Sequence, residues 1–373
     1  MIDRRRFLLA ALAATLPFRS GAESRAWPRY RKALAIDACG GLGRFPGHED
    51  GSLDADELAD ARDSGLSALL LTLAPSGRFR FGDAAFETTV KAIASWEQKI
   101  AQHPETFVAV RAGADLERAR RERKVGLIYG FQESSPIGED LDRIDLFQRL
   151  GVRVVQLTHN KRNLVGDGCM EPGDAGLSQF GLQVIERLNA QKILVDCAHG
   201  GARTTREAIA ASKVPVLISH TGCRALSNLP RNAADAELRA MADKGGVVGM
   251  LFWPYLREQG QPTAEDFIRH IEHAIEVCGE DHVGIGTDNT VSAMPLGDEA
   301  FEKSNREFME MLVADYVLTP GRSPELYTFI PELNHARRFE TIGALLSARG
   351  HKDARIEKIL GGNFARVMRE VWG

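Results

Sequence analysis

Five cysteines are scattered through the 373 residues, and no two of them form a Cys-x-x-Cys pair. That spacing excludes a structural zinc knuckle, and the odd number leaves at least one thiol outside any intrachain disulfide. Long apolar runs are scarce. The one near the N-terminus, from Phe7 to about Phe18, is too short to span a bilayer. No Pro/Ser-rich linker or low-complexity block divides the chain, so a single domain over residues 23–373 is expected rather than two. Neither sign of charge dominates: 47 Lys and Arg stand against 51 Asp and Glu. No basic stripe marks a nucleic-acid partner. The one Arg-rich stretch, RAGADLERARRERK, has Glu and Asp interleaved and reads as a solvated helix face.

The first 22 residues, MIDRRRFLLAALAATLPFRSGA, combine a basic start, the short apolar run and small residues at Ser20 and Ala22. This is the layout of a cleavable export signal. Arg4, Arg5, Arg6, Phe7 and Leu8 resemble a twin-arginine motif, with Asp3 in place of the usual Ser/Thr and Leu9 in place of the trailing Lys. Export by that route delivers a folded, metal-loaded protein, and the expected location is the periplasm. No Cys follows the signal and no apolar tail closes the chain, so no lipid anchor is expected.

Short apolar runs recur along the chain, and several end in a possible ligand. VVQLTH ends in His159, LVDCAH in His199, VPVLISH in His220 and VGIGTD in Asp288. Such runs read as buried parallel strands, placed at 33–37, 68–73, 126–130, 154–158, 193–196, 215–219, 247–250 and 283–287. Amphipathic stretches between them read as helices at 54–64, 86–103, 141–150, 177–189, 202–211, 235–244 and 264–277. Eight strands alternating with helices predict an α/β fold of the (β/α)8 TIM-barrel type, with catalytic groups at the strand C-terminal ends. An open, doubly wound sheet is the alternative. An extra run at 107–111 falls in an insertion, the tail from Phe301 to Gly373 reads as helical, and 291–323 reads as a loop over the mouth.

His199 and His220 follow consecutive strands, the fifth and sixth, so their side chains can converge. With Asp288 from the eighth strand they make a zinc-binding set that leaves a position open for water. Asp288 can serve instead as the proton acceptor. His159 can stabilise an oxyanion. Arg231, in LPRNAAD ahead of a helix expected to be capped by Asp235, suits a substrate carboxylate. Asp196 can orient a ligand imidazole. Cys197 and Cys278 sit in apolar runs and read as core residues.

The segments GVRVVQLTHNKRN, GLSQFGLQVIERLNAQKILVDCAHGGART, VPVLISHTGCRALSNLPRNAADAEL, GGVVGMLFWPYL, EDHVGIGTDN and KILGGNFARVMREVWG together resemble the membrane (renal) dipeptidases, zinc metallopeptidases related to the amidohydrolase barrels. The resemblance implies dipeptide hydrolysis, with tolerance of a C-terminal D-residue. It implies metal ligation by His199 and His220, substrate contact by His159 and Arg231, and acid/base work by Asp288. Members are often dimeric, so a homodimer is an expectation of the resemblance.

Two segments depart from the family pattern. The first strand of the family ends in His-x-Asp, and Cys39 and Gly41 stand there. The Glu that bridges two zincs falls on Gln132, with Glu133 one residue later. A family-type dinuclear site is therefore not expected. One zinc is, with Asp288, Cys39, Gln132 or Glu133 as the additional ligand and metal-bound hydroxide as the nucleophile. Two other readings stay open. One is altered chemistry on a peptide-derived metabolite, as in siderophore maturation. The other is a non-catalytic binding protein.

Overall fold

The computed structural model describes residues 26–44, 47–48, 51–74 and 83–373. The expected export signal lies outside them. Among the described residues, ten short strands, all paired in parallel, form one curled sheet: β1 (Ile36–Gly41), β2 (Ala68–Thr72), β3 (Phe107–Val110), β4 (Val125–Phe131), β5 (Val152–Gln156), β6 (Leu194–Asp196), β7 (Leu217–Thr221), β8 (Val247–Met250), β9 (Val283–Ile285) and β10 (Asn289–Thr290). Their order is β10-β1-β2-β4-β5-β6-β7-β8-β9, with β3 beside β4.

Only Gly286–Asp288 separates β9 from β10, so the two are halves of one interrupted strand. Its first half pairs with β8 (Val283↔Val248) and its second with β1 (Asn289↔Gly40). The sheet therefore closes at this break. Two bonds cross the seam: the Thr287 N–H donates to Asp37 Oδ1 at 2.8 Å, and the Asp288 N–H to the Cys39 carbonyl at 2.7 Å. Strands follow one another around the barrel without reversal, which rules out the doubly wound alternative. β3 is the expected insertion, paired with the lower half of β4 while β5 pairs with the upper half.

The barrel interior is apolar. Ile36, Ala38, Ala68, Leu70, Ile128, Val154, Leu194, Leu217 and Val247 form one buried cluster with Phe364, Val367 and Met368. The last three belong to the C-terminal helix Asn363–Trp372, which closes the N-terminal end of the barrel. Asn363 Nδ2 fixes that helix by donating to the carbonyls of Glu280 and Val283, 2.8 Å each. Gly284 makes room for it, since a Cβ there would lie 2.4 Å from the Phe364 ring. With this end plugged, chemistry is confined to the opposite mouth.

Three expectations change. β1 begins three residues later than expected, so Cys39 and Gly41 lie within the strand. Asp235 is the first residue of the helix Asp235–Asp243 rather than its cap. Ala234 holds the cap position, with its N–H bonded by Glu237 Oε2 at 2.8 Å. The stretch 291–323 contains the helix Glu299–Ala314, which buries Phe301, Met309 and Leu312 and is capped by Asp298. Its charged residues and the Gly and Pro on both sides hide that apolar face from a reading of runs.

Candidate metal centre and active site

The strand ends bring the expected residues to one place. His199 Nε2 and His220 Nε2 stand 2.8 Å apart. The His159 ring stacks on His199, centroids 4.1 Å apart. Donor atoms of Cys39, His220 and Asp288 all lie within 4.8 Å of one another. The Gln132 amide sits among them, its Nε2 3.1 Å from Asp288 Oδ1 and 3.4 Å from both Cys39 Sγ and His220 Nε2. Arg231 Nη2 donates to the His220 carbonyl at 2.8 Å. Glu133 is buried but outside this cluster of donors. Neighbouring residues of an extended chain point to opposite sides, and Gln132 is the one that faces the centre. His199 and Asp288 hold left-handed backbone angles, φ 62° and 56°. Side chains rarely adopt these angles, and such strain clusters at functional sites.

The hydrogen-bond network sets the tautomer of both imidazoles. Asn160 Nδ2 donates to the Val317 carbonyl at 3.1 Å, which turns Asn160 Oδ1 toward His199 Nδ1, 2.6 Å away. His199 Nδ1 therefore carries the proton. Ser219 Oγ donates to Asp196 Oδ2 at 2.5 Å, so it accepts from His220 Nδ1 at 2.8 Å. Both Nε2 atoms are thus left as lone pairs, buried and converging. A shared proton is disfavoured, because burial and then the Arg231 charge hold both imidazoles well below their usual range. A divalent ion satisfies both lone pairs, so these residues fit a metal.

The other groups are tuned by the same burial. The Asp288 carboxyl is pushed up to about 6 by desolvation, against the pull of Arg231. His159 is held down to about 3 by burial and Arg231, and is neutral at pH 7. Its Nδ1 is buried and has no hydrogen-bond partner among the described residues. Arg231 is 3% exposed, lies 5.9 Å from the Tyr255 ring centroid, and has no carboxylate partner among the described residues. A buried guanidinium that no carboxylate contacts favours an anionic ligand.

Residues beyond the expected set hold this arrangement. Asn160 and Ser219 fix the two imidazoles. Asp196 acts on His220 through Ser219 rather than on His199. Trp253 Nε1 donates to the Asp288 carbonyl at 2.8 Å. Tyr255 Oη shares the Val317 carbonyl with Asn160, so the segment after the helix Glu299–Ala314 is tied to the site. Gly168 lets the VGDGC segment press on the site backbone, since a Cβ there would lie 2.1 Å from the His159 carbonyl oxygen. Asn160 and Ser219 each adjoin a predicted site residue, His159 in LTHN and His220 in LISH, and that adjacency was the available signal.

The family model for membrane dipeptidases, peptidase family M19, matches residues 47–317. A dipeptidase of Clonostachys rogersoniana, verJ, is 28% identical over 211 residues. That match spans 55% of this chain and about half of the relative, 54%. The crystal structure of an amidohydrolase from Pseudomonas aeruginosa is 30% identical, with a TM-score of 0.75, and the match covers 92% of this chain and 98% of that one. A metallopeptidase from Rhodobacter sphaeroides, solved with a phosphinate mimic of the dipeptide L-Ala-D-Ala, shares the fold at 18% identity. Its TM-score is 0.71, over 91% of this chain and 99% of that one.

Proposed function

The chain belongs to the membrane dipeptidase family, and from that premise we propose that it hydrolyses dipeptides or related small amides at one zinc ion held by His199 and His220. The observation that carries the reading is the pair of buried imidazole lone pairs converging at 2.8 Å. When bound, a divalent ion there supplies Lewis acidity and a water acidic enough to attack at neutral pH. The remaining work falls to the side chains. Arg231, buried and without a carboxylate partner among the described residues, holds the substrate's carboxylate and so places the scissile bond. Neutral His159 donates an N–H to the oxygen that gains charge in the transition state. Asp288, raised to about 6, takes a proton from the nucleophile and returns it to the leaving amine.

Export through the signal at 1–22, a single domain over 23–373 and a homodimer belong to the same proposal. Among the described residues no helix is long and apolar enough to cross a membrane.

The test is a dipeptide panel that includes a C-terminal D-Ala substrate, assayed with supplied zinc beside His220→Ala. Turnover in the wild type, with loss of both zinc and turnover in the variant, is expected. Full activity in the variant would sink the reading. The Cys39 thiol at the centre favours one second reading, altered chemistry on a peptide-derived metabolite. No dipeptide turnover by a zinc-loaded wild type would shift weight to it.

A further inference from the structure

Cys39 is the group at the centre that the family pattern does not account for. Its surroundings are those of a ligand rather than of a core thiol. Cys223, a core thiol, lies against Met250 Sδ and the His270 carbonyl. Cys39 is 2% exposed, yet its sulfur faces a carboxylate oxygen of Asp288 at 3.4 Å and the Gln132 amide at 3.4 Å.

The spacing is that of a coordination sphere. Ligand atoms around a tetrahedral zinc, at bond lengths of about 2.0–2.3 Å, lie about 3.3–3.8 Å apart. Five separations among Cys39 Sγ, His220 Nε2, the Asp288 carboxylate and Gln132 Nε2 are 3.1, 3.4, 3.4, 3.4 and 3.9 Å. Cys39 Sγ and His220 Nε2 complete the figure at no more than 4.8 Å. Charge agrees with this, since one thiolate and one carboxylate balance one dication.

We propose that Cys39 binds as a thiolate the ion held by the histidine pair, with the Asp288 carboxylate and the Gln132 amide facing the corner left for water, so that this is a sulfur-containing centre. The inference rests on the metalloenzyme reading above. Binding displaces the Cys39 proton to solvent and transfers no electron. A thiolate selects zinc or cobalt over magnesium and calcium.

The test is spectroscopic. Metal-stripped full-length protein is titrated with Co²⁺ alone. Expected are one bound cobalt per chain and a near-ultraviolet sulfur-to-cobalt charge-transfer band. That band is lost in Cys39→Ser and kept in Cys169→Ser, whose sulfur instead meets Asn160 Oδ1 at 3.1 Å. Cys39→His keeps a stoichiometric cobalt without the band, and serves if the serine variant does not fold. A band that survives in Cys39→Ser and Cys39→His overturns the proposal. Bound cobalt without any band, or no cobalt bound at all, also overturns it. Dipeptide turnover by a band-free cobalt enzyme would remove the thiolate and leave the hydrolase standing. A band without dipeptide turnover would do the reverse.

Discussion

The two sides of the barrel mouth share one brace and carry different donors. On one side Asp196, ending β6, accepts from the Ser219 N–H at 2.9 Å, the Ser219 hydroxyl at 2.5 Å and the Ala198 N–H at 3.0 Å. On the other, Asp37 in β1 accepts from the Thr287 N–H at 2.8 Å, the Thr287 hydroxyl at 2.7 Å and the Cys39 N–H at 3.3 Å. Each brace is a buried carboxylate that grips its own strand two residues on. It also grips a hydroxyl residue on the neighbouring strand, one residue before a donor. On the Asp196 side the donors are His199 and His220. On the Asp37 side they are Cys39 and Asp288. The brace is satisfied by backbone and hydroxyl groups, so it fixes where a donor starts without fixing what the donor is. The family match begins at residue 47, beyond β1, so the strand that carries the thiol lies outside it.

One difference between the braces gives the largest expected effect on metal affinity. Ser219 Oγ also reaches His220 Nδ1 at 2.8 Å, whereas the Thr287 hydroxyl is bonded to Asp37 and to the Asn289 carbonyl rather than to the Asp288 side chain. Ser219→Ala is therefore expected to lower zinc affinity about 10–100-fold in a competitive chelator titration. Thr287→Ala is expected to change affinity by less than about threefold and to cost about 1–2 kcal/mol in denaturant unfolding. Equal losses of affinity would break the comparison.

Gln132→Glu sharpens the comparison from the Asp37 side. It adds a carboxylate at 3.1–3.4 Å from the three proposed donors. Zinc affinity is expected to rise about tenfold, the equivalent of about 1.4 kcal/mol. Metal-free protein is expected to lose stability from the juxtaposed acids. A fall in affinity, read by the same chelator titration, would mean that the amide is not at a corner of the site.

The barrel and its mouth were legible because buried parallel strands leave unbroken apolar runs, and four of those runs end in His or Asp. The braces were not legible. Their bonds run between neighbouring strands, 23 residues apart for Asp196 and Ser219 and 250 for Asp37 and Thr287. A buried Ser or Thr in an apolar strand carries no mark of its partner. The choice between Gln132 and Glu133 turned on one step of strand alternation, which a boundary error of one residue reverses. The offset of β1 likewise hid that Cys39 sits inside the strand, held at its own N–H.

A separate effect, on stability rather than on metal affinity, concerns pH, and it tests whether the two braces are electrostatic equivalents. Burial pushes the Asp37 carboxyl up to about 7, against the pull of its bonds to Thr287. Burial raises Asp196 in the same direction. A carboxyl whose folded pKa lies above its unfolded value holds its proton in the folded state after the unfolded chain has released it. Stability then falls as pH rises from about 4 to about 7 and is level below that window. In chelator-treated protein, where no bound ion favours the carboxylates, Asp37→Asn should flatten this part of the stability–pH curve. The difference from wild type should be on the order of 3 kcal/mol across the window. Asp196→Asn should flatten it in the same sense. Urea unfolding at a series of pH values reads both. A slope that survives Asp37→Asn but vanishes in Asp196→Asn would place the buried proton on the imidazole side alone, and the braces would then be alike in geometry but not in charge.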